Sequence, residues 1–144
     1  MADLDIHKAE LVTLKIVKAN ERLAGSHAAL FKAHGLSSPQ YNVLRILRGA
    51  RDEDLSCHEV GRRLITRVPD VTRLLDRLEQ RGLIERWRCQ DDRRVVRTRI
   101  TPEGLALVGR IDRPLQQVVA EQFADFSDRK LAQLDRLLEA LLAT

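Results

Sequence analysis

Arginine is the residue with the clearest chemical potential in this sequence. Between Gly61 and Arg99 the chain carries 12 arginines, six carboxylates and no lysine, a local charge of +6 against +4 for the whole chain. A guanidinium presents a planar fork of N–H donors that fits phosphate oxygens and guanine edges, whereas a lysine offers a point charge. A GC-rich genome also favours arginine codons. The arrangement of these residues therefore has to decide whether the chain binds nucleic acid.

Residues 69–80 have the pattern of a helix that enters the major groove of DNA. Such a helix buries one face in its own domain and presents short polar or basic groups on the other. A solvated amphipathic helix shows the same pattern. On the DNA interpretation, the N-terminal end faces the groove, and we predict that Asp70, Thr72 and Arg73 lie near base edges. Arg77, one turn later, is predicted to lie near phosphate. The apolar face consists of Val71, Leu74, Leu75 and Leu78.

A second arginine cluster follows between two β-prone segments. Residues 83–88 and 95–100 are predicted to form a β-hairpin, with residues 89–94 as its loop. An arginine at the tip of a thin β-ribbon can enter a narrow minor groove, where the negative potential is deepest. Asp92 is expected to pair with a nearby arginine and orient it. The residues of this wing that we predict to contact DNA are Arg88, Arg93 and Arg94.

Capping signals divide the chain into six predicted helices. Ser37 with Gln40 and Ser56 with Glu59 each fit a capping box, in which two side chains satisfy two orphan backbone donors. At these helix starts we predict that Ser38 and Ser56 contact DNA phosphate. The predicted helices cover residues 6–34, 37–49, 56–65, 69–81, 102–126 and 127–142, with a kink at Pro114 in the fifth.

The composition is that of an ordinary folded protein. With 144 residues and 44% hydrophobic residues, the chain is expected to form one domain, residues 1–144. It has no apolar run long enough to span a bilayer, and its acidic start does not resemble a secretory signal, so we expect a cytoplasmic location. Cys57 and Cys89 do not form a C-x-x-C pair and are interpreted as reduced thiols.

Three stretches of the sequence resemble the MarR family of transcription regulators. They read LSSPQYNVL at 36–44, VTRLLDRLEQRGLI at 71–84, and DRR with ITPEG within 92–104. The resemblance implies a recognition helix at residues 68–80 and a wing arginine at Arg94. It also implies a homodimer on a pseudo-palindromic operator, with release when a small aromatic or phenolic ligand enters between the dimerisation and DNA-binding parts. The expected effect on transcription is repression, although an operator that lies away from the promoter would allow activation.

The predicted fold class is mainly α with a small β-hairpin wing. A winged helix-turn-helix, residues 37–100, is flanked by N- and C-terminal dimerisation helices, residues 6–35 and 102–144. The terminal helices carry long apolar stripes that a thin winged helix cannot cover, which favours a partner subunit over an intramolecular bundle. The residues predicted to form the dimer interface are Leu11, Leu14, Phe123, Leu131, Leu134, Leu138 and Leu141.

Other functions have weaker support. The four histidines form no cluster with ligand spacing, so no metal and no cofactor is predicted. The sequence lacks a phosphate loop and a nucleophile elbow, which argues against an enzyme. Cys89 lies beside Arg88 at the wing, so a redox-responsive regulator that acts through Cys89 stays an alternative. A nonspecific architectural DNA-binding protein is the other alternative, and a helical interaction module without DNA binding is disfavoured by the intact arginines.

Overall fold

The computed structural model describes residues 4–144 as six helices and one small antiparallel sheet; residues 1–3 of the predicted domain lie outside the described residues. The predicted fold class, mainly helical with a β wing beside a helix-turn-helix, is confirmed. In chain order the elements are α1 (Ile6–Ala33), α2 (Ser38–Gly49), β1 (Leu55–Ser56), α3 (Cys57–Arg63), α4 (Val71–Gln80), β2 (Ile84–Arg88), β3 (Val96–Ile100), α5 (Pro102–Gln122) and α6 (Asp128–Leu142).

The helix starts are fixed by local side-chain caps. Both predicted capping boxes are present: Ser37 exchanges hydrogen bonds with Gln40 before α2, and Ser56 does so with Glu59 before α3. Thr101 caps α5 by accepting from the backbone N–H of Gly104 at 3.1 Å. Each bond satisfies a backbone donor that a helix start would otherwise leave without a partner.

Three predicted helix boundaries need correction. α5 ends at Gln122 and not at residue 126. The other two boundaries lie on either side of the turn of the helix-turn-helix. Pro69 was expected in the first turn of the fourth helix, but α4 begins at Val71 and Pro69 precedes its N-cap, Asp70. The third helix ends at Arg63 and not at Ile65. Both differences lengthen the turn between the two helices of the helix-turn-helix. Proline is compatible with this place because the turn needs no N–H from it.

The sheet has a third strand that the sequence did not indicate. β1 pairs antiparallel with β3, which places β3 in the centre in the order β1-β3-β2. Thr98 of β3 is fully buried, opposite Leu55 on one side and Arg86 on the other. A strand of two residues has too little periodicity to be predicted, because its pairing depends on contacts distant in sequence.

The hydrophobic core lies in the winged helix and not in the terminal helices. Its fully buried side chains come from α2, α3, α4, the sheet and the first half of α5, whereas α1 buries only Phe31 and α6 has no buried residue. This core therefore holds the winged helix together, and the terminal helices α1 and α6 contribute little to it. α5 connects the two parts, because its start packs in the core and its later turns contact α1.

Gly104 gives a test of the contact between α5 and the wing. A Cβ at this position would lie 2.3 Å from the carbonyl oxygen of Leu83 and 2.7 Å from Cγ1 of Ile100, so neither could stay in place. We expect Gly104→Ala to lower the free energy of unfolding by roughly 1 to 3 kcal/mol in urea denaturation. Gly109→Ala is the matched control on the same helix, since a Cβ there meets nothing within 4 Å. Equal effects of the two substitutions would contradict the packing interpretation.

Candidate nucleic-acid interface

The structure divides the 12 arginines between Gly61 and Arg99 into two groups. Within residues 4–144, six of their guanidinium groups have an ion pair or a hydrogen bond, and six have neither. The six with partners are Arg63, Arg81, Arg86, Arg88, Arg97 and Arg99. The six without partners are Arg62, Arg67, Arg73, Arg77, Arg93 and Arg94. Because the second group is exposed, its donors are available to phosphates and base edges.

α4 has the two faces that the sequence predicted. Leu75 and Leu78 are fully buried, and Val71 and Leu74 pack partly buried against the same core. Thr72, Arg73 and Arg77 are exposed on the outside of the helix-turn-helix. A helix with this arrangement can present its outer face to a groove while its inner face holds it to the domain. That these three side chains contact DNA stays a prediction.

Asp70 has a structural task at the start of α4. Its carboxylate accepts from the backbone N–H of Arg73 at 2.9 Å, so it is the N-cap of the helix. An N-cap carboxylate also interacts favourably with the helix dipole. A base contact by Asp70 would have to use the oxygen that the cap leaves open.

Arg86 joins the recognition helix to the wing. Its guanidinium donates to the carboxylates of Asp76 and, at 3.1 Å, of Glu79, both on α4. Burial opposes the charged form, but these hydrogen bonds outweigh it and raise the pKa of Arg86 above its ordinary value. Asp76 and Arg86 thus make their contacts within the protein and join α4 to β2.

The last two arginines of the sheet, Arg97 and Arg99, also make contacts within the protein. Arg97 donates to the carbonyl oxygen of Asp54 at 3.0 Å, which ties β3 to the residue before β1. The guanidinium of Arg99 lies 3.3 Å from the carboxylate of Glu85 and packs 4.4 Å from the centre of the Trp87 ring. These contacts hold the sheet together.

The wing turn is held by hydrogen bonds to its own backbone. Asp92 accepts from the backbone N–H of Arg94 at 3.0 Å, and Arg88 donates to the carbonyl oxygen of Arg93 at 2.8 Å. Asp92 therefore fixes the backbone at Arg94, but within residues 4–144 it does not form the expected pair with an arginine guanidinium. That it orients Arg94 for DNA stays a prediction. The side chains of Arg93 and Arg94 remain exposed at the tip.

The two serines predicted at phosphate have different surroundings. Ser56 caps α3, and the hydrogen bonds from Ser56 lower the pKa of Glu59, so this carboxylate stays ionised at neutral pH. Ser38 is the first residue of α2, and its exposed side chain faces the cavity described next. Their contacts with phosphate stay predictions.

A cavity of about 840 Å³ opens between the terminal helices and the helix-turn-helix. α1 and α5 form one side, the first turns of α2 form another, and Ile65 and Thr66 of the turn after α3 close the end. Phe31 and Tyr41 stack at its base with ring centres 4.0 Å apart. Arg45 lies on the wall, and no lining residue within 4–144 is Asp or Glu. The cavity thus has an apolar base and one fixed positive charge.

Large apolar side chains are exposed on the terminal helices. Leu11, Leu14, Leu138 and Leu141 are each at least 40% exposed, whereas Phe123, Leu131 and Leu134 are half-buried. Contiguous patches of this kind are uncommon on monomers. All seven residues are the ones that the sequence analysis assigned to a subunit interface.

The remaining side chains with reactive potential are not grouped. Cys57 and Cys89 are free thiols, and the Sγ atom of Cys57 lies 3.8 Å from Oγ1 of Thr72 on α4. Between Leu4 and Thr144, no three His, Cys, Asp or Glu residues come together as a metal site. None of the helices in this range has the length and apolar character needed to cross a membrane.

Comparison with known proteins places this arrangement in one family. The model of the MarR family matches residues 36–96. The homoprotocatechuate degradative operon repressor of Escherichia coli is 29% identical over 132 residues, which cover 92% of this chain and 88% of that protein. A MarR transcription factor from Planctomyces limnophilus is 32% identical, with a TM-score of 0.73 and coverage of 97% of this chain and 98% of that one.

A solved complex with DNA gives the comparison most relevant to the exposed arginines. A MarR mutant from Escherichia coli, crystallised with operator DNA, is 25% identical, and its TM-score is 0.82. The alignment covers 98% of this chain and 99% of that one. The similarity thus extends over the winged helix and the terminal helices together. The chain belongs to the MarR family, and it is a DNA-binding transcription regulator and not an enzyme.

Proposed function

We propose that this protein is a homodimeric repressor that binds a pseudo-palindromic operator and leaves it when a small aromatic anion occupies the cavity. The observation that carries this proposal is the separation of the arginines. Those that brace the fold are paired, and those on α4 and at the wing tip are exposed and have no partner among residues 4–144. A dimer on promoter DNA blocks polymerase, which is why repression is the proposed sign.

The proposed DNA contacts follow the exposed faces. Arg73 and Thr72, with the open oxygen of Asp70, read base edges in the major groove, and Arg77 holds phosphate. Arg94 enters the minor groove, where Arg93 and the braced Arg88 support the wing at the flanking phosphates. The starts of α2 and α3, at Ser38 and Ser56, approach the backbone as helix N-termini do in anion binding.

The proposed subunit interface is the apolar surface of α1, α5 and α6. It divides the domain into dimerisation helices, residues 6–35 and 102–144, and a DNA-binding part, residues 37–100. Support comes from burial: within the described chain α6 has no buried residue, and the leucines at 137, 138, 141 and 142 are exposed. A two-fold partner would cover them and would place two recognition helices about one helical turn of DNA apart.

The proposed effector is defined by the cavity that would hold it. A volume of about 840 Å³ is within the usual range for small-molecule sites. Stacked rings at the base favour a flat aromatic body, and Arg45 without any lining carboxylate favours an anionic group. Burial also raises the pKa of Tyr41, so its hydroxyl stays neutral beside the ligand. We therefore propose an aromatic carboxylate or phenolate.

Binding to genomic fragments tests the regulator. The fragments, chiefly those that flank the gene of this protein, are incubated with the natural chain and excess competitor DNA at two salt concentrations. We expect one inverted repeat to be retained with a preference of roughly 10³ or more over random DNA. Uniform retention that disappears with salt would contradict it and would favour an architectural protein.

Release by benzoate tests the effector class. We expect benzoate to weaken operator binding, whereas benzamide, which has the same shape without the charge, has a smaller effect. Arg45→Gln should lose most of the difference between the two compounds, because the charge that distinguishes them is removed. Titration calorimetry of the free protein reports probe binding separately from DNA release. Equal binding of benzoate and benzamide by the natural chain would contradict an anionic effector.

Substitutions on α4 separate base reading from phosphate binding. We expect Arg73→Ala to cost roughly 1 to 3 kcal/mol on the operator and to relax its sequence preference. Arg77→Ala should weaken binding to operator and random DNA alike and reduce the salt slope of the dimer by about 2, which is about 1 for the phosphate contact of each subunit. Fluorescence anisotropy on both DNAs at several salt concentrations measures this. An equal loss on the two DNAs for Arg73→Ala would rule out its base-reading role.

A further inference from the structure

The turn between α3 and α4 has very few hydrogen bonds. Within the described chain, residues 65–69 make one, which the backbone N–H of Ile65 donates to the side-chain oxygen Oδ1 of Asn42 at 2.8 Å. Asn42 is on α2, 23 positions earlier in the sequence. Within residues 4–144, the segment that leads into α4 is therefore connected to the rest of the domain by a single hydrogen bond. Such segments open with a low free-energy cost.

The same turn is also a wall of the cavity. Ile65, Thr66 and Asn42 all line it, and the side chain of Ile65 is 82% exposed. A molecule that fills the cavity thus contacts the hydrogen bond and both residues of the turn. Five residues after Ile65 comes Asp70, the N-cap of α4. A displacement of the turn is passed directly to the start of the recognition helix.

The helix that carries Asn42 is fixed at its other end. Arg48 of α2 donates two hydrogen bonds to the carboxylate of Asp112 on α5, at 2.9 and 2.7 Å. Tyr41, Val43, Leu44 and Leu47 of α2 are buried in the core. α2 therefore stays in place when the turn moves. The hydrogen bond of Asn42 is the point at which a fixed helix and a weakly held turn meet.

We infer that Asn42 is the positioning residue through which occupancy of the cavity reaches the recognition helix, an inference that rests on the effector role proposed above. The bond from Asn42 to Ile65 is made in the DNA-competent state and is broken when an aromatic anion displaces the turn. A ligand can shift this equilibrium only through its unequal affinity for the two states. The hydrogen bond of the turn opposes this shift, because only the DNA-competent state contains it, and the ligand favours the other state because it occupies the space of the turn.

The first arm of the test uses no effector. Asn42→Ala removes the acceptor, and we expect it to weaken operator binding about twofold to tenfold, which corresponds to the net loss of one hydrogen bond. Asn42→Asp keeps an acceptor oxygen for the Ile65 N–H and should restore most of the affinity. Asn20→Ala is the matched control, because Asn20 lines the opposite wall of the cavity without a hydrogen bond to any described residue. Equal operator affinity of all four folded proteins would overturn the inference.

The second arm measures coupling with benzoate as the probe. For the natural chain and for Asn20→Ala, we expect saturating benzoate to raise the operator Kd by the same factor; for Asn42→Ala, in which no hydrogen bond opposes displacement of the turn, that factor should be larger. Equal factors for Asn42→Ala and the natural chain would overturn the role of Asn42 alone. Absence of any benzoate effect on the natural chain would overturn it together with the proposed effector role.

A measurement on the natural chain covers the case in which Asn42→Ala does not fold. Amide hydrogen exchange by NMR reports the Ile65 N–H directly. We expect it to be protected in the free protein and to exchange at least about tenfold faster with saturating benzoate, while core amides of α2 keep their protection. Unchanged protection of Ile65 with benzoate bound, as calorimetry shows, would overturn the inference.

Discussion

The relation between α4 and the wing depends on one ion cluster, in which Arg86 of β2 bridges Asp76 and Glu79 of α4. Exposed ion pairs contribute little to stability. This cluster differs because the Arg86 side chain is only 15% exposed, so removal of its partners would leave a charge in a poorly solvated place. α4 and the wing, which are proposed to contact the major and the minor groove, are thereby held as one body. DNA contacts by either element require this fixed relation.

The arginines that give the central segment its positive charge do not all have the same role in the structure. Counted from the sequence, all 12 arginines between Gly61 and Arg99 look equivalent. In the structure, half of them have partners in strands, turns or the contact between α4 and β2, and the other half are exposed and have no partner in the described part of the chain. Electrostatic attraction to DNA, and its loss with salt, should follow the second half. The arginines that have partners within the protein affect DNA binding indirectly, because they hold α4, the sheet and the wing turn in position.

Features with a local cause were predictable from the sequence. Both capping boxes and the apolar face of α4 depend on residues within a few positions of one another, and the two strands of the wing are consecutive and joined by a short loop. Features that depend on distant contacts were not predictable. β1 exists because β3 pairs with it, and Asn42 matters because folding brings Ile65 to it across 23 positions. The two partners of Arg86 are visible in the sequence as carboxylates three residues apart on α4. A helical wheel alone, however, places both of them on the side of the helix that faces solvent.

The small amount of burial in α1 and α6 has a consequence for the amount of protein in a cell. In a family of dimers, helices that bury almost nothing within their own chain gain their stability from the second chain, and so from protein concentration. Operator occupancy then depends on copy number twice, once through dimer formation and once through binding. A modest fall in expression would vacate the operator more steeply than it would for a monomeric regulator.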